Sequence, residues 1–144
     1  MMIKSQILLI VMVAINFSCN IHRAFRFNSY HSKYILKVPR GYEFKKSYDD
    51  NGNKEYYLVY RDSSVIYATD DRISGGSIHN EKVSKYSNNV YLKILMNDTI
   101  ELSGVYKNLY WKEIKLNDVV FGYTKVPKEK KEMFDGILDD ILKK

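Results

Sequence analysis

Asp49-Asp50-Asn51-Gly52-Asn53-Lys54-Glu55-Tyr56-Tyr57-Leu58-Val59-Tyr60-Arg61-Asp62-Ser63-Ser64-Val65-Ile66-Tyr67-Ala68-Thr69 decides the fold, because it holds two turns and two strands in one run. Asn51-Gly52 accepts the positive φ that a tight hairpin requires. Glu55 to Tyr60 alternates, with Tyr56, Leu58 and Tyr60 on one face and Tyr57 and Val59 on the other. Arg61 to Ser64 turns the chain again, and Val65 to Thr69 returns beside it. Two successive hairpins predict an antiparallel meander.

Working outward, Tyr34 to Val38 reads as a strand stopped by Pro39, which has no N–H to give to a ladder. Gly41 then turns the chain into Tyr42-Glu43-Phe44. On the other side, Val90 to Met96, Thr99 to Ser103, Leu109 to Leu116 and Val119 to Val126 are further strands, with Asn97-Asp98 and Asn117-Asp118 as turns. Pro127 opens a helix where its missing N–H costs nothing. Met133, Phe134, Ile137, Leu138, Ile141 and Leu142 recur at helical spacing and predict one apolar face. Glu129 and Glu132 sit near the positive end of that helix, and Lys143 and Lys144 near its negative end. The expected architecture is α+β: a twisted antiparallel sheet of about six to seven strands covered by a C-terminal helix, in one domain over 34–144. Residues 70–89 interrupt the pattern. A connection that long in a compact domain implies either a functional loop or a short helix over Asn80 to Ser87.

The N-terminus reads as an export signal. Lys4 is a positive n-region and Ile7 to Ile15 an apolar run, too short to cross a bilayer. Ser18 directly precedes Cys19, the only cysteine in the chain. This predicts a lipoprotein signal over 1–18, cleaved before Cys19, which then carries the lipid. The alternatives are an ordinary secretory signal that leaves a free thiol, or an uncleaved anchor. A disulfide within the chain is excluded. Asn20, where inner-membrane retention would call for an aspartate, and the lack of an acidic cluster after it point to the periplasmic side of the outer membrane. Residues 19–33 read as the lipidated cysteine and a flexible tether. Its His22, Arg23, Arg26, His31 and Lys33 either lie on anionic headgroups or belong to a spacer whose aromatics dock on the domain.

The formal charge is +6 and the isoelectric point about 9.2. In an exported chain with basic residues spread along its length, this does not point to nucleic acid. Val38-Pro39-Arg40-Gly41-Tyr42, Ser64-Val65-Ile66-Tyr67, Trp111-Lys112-Glu113, Gly122-Tyr123 and Phe134-Asp135-Gly136-Ile137-Leu138 resemble recurring phrases of small uncharacterised lipoproteins of Bacteroidetes-type bacteria. That resemblance implies an envelope lipoprotein and brings no catalytic residue. The aliphatic-Pro-X-Gly-aromatic opening and the final helix also resemble the Mog1/PsbP-like fold.

No metal-binding, phosphate-loop or nucleophile-elbow motif is present, and no cofactor is implied. The candidate loop site is Asp70, Asp71, His79 and Glu81, whose carboxylates and imidazole suit a divalent cation; the competing reading is solvated turn residues. Tyr57, Tyr67 and Trp111 are candidates for an aromatic binding face for a glycan or an envelope protein, against the ordinary reading of half-buried strand aromatics. Asp98-Thr99-Ile100 matches a short O-glycosylation pattern on Thr99. The functional expectation is a non-enzymatic binding or interaction module held at the membrane by Cys19. The alternatives are an immunity-type inhibitor of an envelope-targeting toxin or hydrolase, and a small envelope hydrolase using the 70–89 loop.

Overall fold

The alternation of the central hairpins is realised as two stacked antiparallel sheets in a computed structural model, which describes residues 22–70 and 99–143. The strands are β1 (His22–Asn28), β2 (Lys33–Pro39), β3 (Tyr42–Tyr48), β4 (Lys54–Tyr60), β5 (Val65–Thr69), β6 (Thr99–Tyr106), β7 (Leu109–Leu116), β8 (Val119–Val126) and β9 (Leu142–Lys143); the helix α1 is Lys131–Asp139. The large sheet runs β3-β4-β5-β8-β7-β6 and the small one β1-β2-β9. All pairings are antiparallel. The fold is α+β, as the sequence implies, but the strands are divided between two sheets.

The predicted turns form for the expected reasons. Gly52 has φ +80°, and the Asp49 carboxylate accepts the backbone N–H groups of Asn51 and Asn53, both at 2.8 Å. Ser63 takes φ +68° while Asp62 accepts the Ser64 N–H at 3.1 Å. A further hairpin at Lys107-Asn108, both residues with positive φ, joins β6 to β7.

Cross-strand register puts Leu58, Ile66, Tyr123 and Lys112 in one row and Tyr56, Ala68, Phe121 and Ile114 in the next. This inner face meets the small sheet and α1. Phe27, Tyr34, Leu36 and Val38 come from the small sheet and Phe134, Ile137 and Leu138 from the helix, all buried in one core with Leu58, Ile66 and Phe121. Edge-to-face rings run through it: Phe27 to Tyr56 at 5.1 Å, Tyr34 to Phe121 at 5.0 Å and Tyr60 to Phe134 at 5.7 Å. Full burial of each such side chain contributes about 1.5–3 kcal/mol.

Two expectations are corrected. The tether over 19–33 gives way at His22, where β1 begins and pairs with β2 from His22↔Pro39 to Asn28↔Lys33. Arg23, Phe25 and Phe27 alternate toward the core, and Phe27 is fully buried; an apolar ring at every second position favours a strand over a spacer. The C-terminal helix is also shorter than its apolar spacing suggests. A 3-10 turn, Lys128–Lys130, follows Pro127 and leads into α1. The helix then stops at Asp139, with the Asp140 N–H returned to Gly136 O at 3.1 Å. Two aspartates at the negative end of the dipole are unfavourable there. Leu142 and Lys143 leave as β9 and pair with Ile35 and Tyr34. Met133 is accordingly 40 % exposed rather than part of a buried stripe. The expected strand Val90 to Met96, the 71–89 stretch and residues 1–21 lie outside the described residues.

Candidate functional site

The residues expected to form an aromatic binding face do share one face of the large sheet, the one turned away from α1. Tyr57 stands opposite Tyr67, and Tyr67 opposite Gly122, which in turn stands opposite Glu113. The two tyrosine rings lie 6.5 Å apart and tilted by 37°. Tyr67 lies flat over Gly122, where a Cβ would fall 2.3 Å from its ring. That gap in β8 lets the Tyr67 hydroxyl cross the strand and donate to Glu113. Trp111 lies over Gly104 in the same way, with a Cβ there 2.8–2.9 Å from indole atoms.

Tyr67 and Trp111 are buried, at 2 % and 3 % exposure, so neither ring face is open to solvent. Burial, followed by the Glu113 charge, pushes the Tyr67 phenol well above its ordinary pKa. It therefore stays a neutral donor. Beside it, Glu55 accepts from Tyr57 and from Ser47, each at 2.9 Å. Each of the two carboxylates is thus held by a tyrosine hydroxyl. Alternation shows which residues share this face, but it does not show that the face is buried.

Of the loop residues, Asp70 is described and Asp71, His79 and Glu81 are not. Asp70 is buried and accepts the Lys54 N–H through Oδ1, while its Oδ2 has no hydrogen-bond partner among the described residues. Among the described residues no three His, Cys, Asp or Glu side chains converge to hold a metal ion. Thr99 opens β6 opposite Leu116. Cys19 lies outside the described residues.

An open cleft of about 380 Å³ lies between β1 and β3, the edge strands of the two sheets among the described residues, lined by Arg23, Ala24, Phe25, Arg26, Tyr42 and Phe44. The chain passes from β2 to β3 at Arg40-Gly41, where Gly41 has φ +91°. Phe25 meets Phe44 at 6.0 Å, and Phe44 meets Tyr56 at 5.4 Å. Phe44 still keeps 48 % of its surface exposed. Reading 19–33 as a tether hid this site, although the alternation of Arg23, Phe25 and Phe27 was its visible signal. Comparison of the chain with protein-family models, with curated proteins and with solved structures finds no match.

Proposed function

We propose that this protein is an outer-membrane lipoprotein, tethered through Cys19 on the periplasmic side and acting as a non-enzymatic binding module. The observation that carries the reading is the short apolar run Ile7 to Ile15 ending in Ser18 and the single cysteine Cys19. Each buried methylene of an acyl chain contributes about 0.8 kcal/mol, so a doubly or triply acylated cysteine holds a chain permanently where a single acyl chain would not. The start of β1 at His22 supports the same reading. Only Asn20 and Ile21 separate it from Cys19, which limits the reach to about 11 Å and would hold the folded domain against the bilayer. The contact surface of the module is the cleft between β1 and β3, where guanidinium groups and rings stand together.

The test is the intact mass of the protein from the membrane fraction beside a Cys19→Ala chain. The expected mass corresponds to cleavage before Cys19 plus acyl groups, and the variant loses both. An unlipidated mature mass overturns the tether and leaves Cys19 as a free thiol.

A further inference from the structure

The chain's formal charge is unevenly placed. Residues 22–46 hold Arg23, Arg26, Lys33, Lys37, Arg40, Lys45 and Lys46 against one acid, Glu43. Outside that stretch basic and acidic residues balance, so the whole excess of +6 belongs to residues 22–46, that is to β1, β2, β3 and the Arg40 corner. The basic residues look spread along the sequence because acids accompany them everywhere else.

In the fold two of these seven, Arg23 and Arg26, line the cleft. Arg26 and Lys37 are exposed and project from the outer surface of the small sheet, opposite Ile35 and Ala24 respectively. Arg23 lies on the cleft side of β1, in line with Phe25 and Phe27. Neither Arg23 nor Arg26 has an ion pair among the described residues. Lys46 stands over the Tyr48 ring at 4.9 Å and the Tyr56 ring at 5.6 Å. Tyr30, Phe44 and Tyr48, exposed by 78 %, 48 % and 58 %, belong to the same three-strand region. Guanidinium groups pair with phosphate oxygens through two parallel N–H bonds. Aromatic rings settle at the headgroup level of a bilayer. The two therefore suit a surface that presents phosphates above an apolar layer.

We infer that the β1–β3 rim rests on the membrane and that its cleft takes the phosphate of an anionic phospholipid headgroup, held by Arg23 against Phe44, with Arg26 at the mouth of the cleft on the outer side of β1. The orientation rests on the lipoprotein reading, since three residues from Cys19 bring β1 to the bilayer first. The chemistry of the cleft does not depend on it.

The test uses the full chain carrying Cys19→Ala, which cannot be acylated, sedimented with vesicles of phosphatidylcholine alone and of an equimolar phosphatidylcholine–phosphatidylglycerol mixture. The neutral vesicles record what residues 1–18 contribute. The expected result is a gain on the anionic vesicles that high salt removes and that Arg23→Gln/Arg26→Gln lowers about thirtyfold, at the usual contribution of a basic residue near an anionic surface. Lys107→Gln/Lys125→Gln, on the β6–β7 turn and on β8, keeps the gain while removing the same charge. Equal binding to both vesicles, or equal losses in the two double variants, overturns the inference. The latter result would reduce the cleft to net charge, and the former would leave the charges as guards of two open sheet edges. Circular dichroism of the variants confirms that they fold, as exposed arginines should allow. The mass of Cys19 is read separately, so a failed cleft and a failed tether are told apart.

Discussion

Gly122 and Gly136 show how the same residue type acts in opposite senses. At Gly122 a Cβ would meet the Tyr67 ring at 2.3 Å and the Lys112 carbonyl oxygen at 2.9 Å. Neither neighbour can yield cheaply, because the ring is buried and the oxygen is backbone. Gly122→Ala should lower stability by about 1–3 kcal/mol, as overpacking does, measured as a lower urea midpoint. Gly136 sits in α1 with nothing within 4 Å of its would-be Cβ. Gly136→Ala should raise the same midpoint by about 0.5–1 kcal/mol through helix propensity. A loss at Gly136, or no effect at Gly122, would contradict the placement of these side chains. The packing of Tyr67 and Trp111 over glycines was invisible in the sequence, because it depends on which strand lies opposite. Their shared face was legible from alternation alone.

At the level of elements, β1 separates what the sequence announced from what it concealed. The Asn51-Gly52 and Asp62-Ser63 turns were readable because side chain and backbone chemistry decide them locally. The identity of β1 was obscured by His22, Arg23 and Arg26, whose charges suggest a solvated spacer, while Phe25 and Phe27 carry the alternation. Similarly, Leu142 continues a helical spacing, yet pairing with β2 claims it. Phe27→Ala provides the discriminating experiment. A fully buried ring with Tyr56 and Phe121 at 5.1 and 5.9 Å should cost about 3–5 kcal/mol on truncation. A tether residue would cost nothing measurable, and denaturant unfolding distinguishes the two. The end of α1 is tied down by Lys112, which holds Glu101 at 3.1 Å and Asp139 at 3.0 Å. Burial lowers the affinity of that lysine for its proton, but the bonds to Asp139 and Glu101 outweigh it and raise its pKa.

For the molecule as a whole, acid should loosen the contacts that fasten the helical segment. Burial alone would raise the pKa of Asp62 and Asp135. The hydrogen bond from Lys130 and those of Ser64 to Asp62, and the bonds from Lys131 and Tyr123 to Asp135, bring both below the ordinary value of 3.8. A depressed folded pKa means that the unfolded chain takes up protons first. The stability these groups provide is therefore present above that ordinary value and is lost as pH falls through their folded values. Urea midpoints should hold from neutrality to about pH 4 and drop below it. Asp62→Asn/Asp135→Asn should flatten that drop while lowering the midpoint at pH 7. An acid limb identical in the variant would show that these pairs do not link titration to folding.

The small sheet has one more consequence, and it concerns time rather than space. Its middle strand, β2, is flanked by the first described strand on one side and the last on the other, and Phe134, Ile137 and Leu138 of α1 complete the core. Pairings this distant in sequence form late, because the loop between them must close first. A nascent chain cannot close this core until α1 and β9 have emerged from the ribosome. Under the proposed export of this chain, that delay would keep it unfolded until it had crossed the membrane.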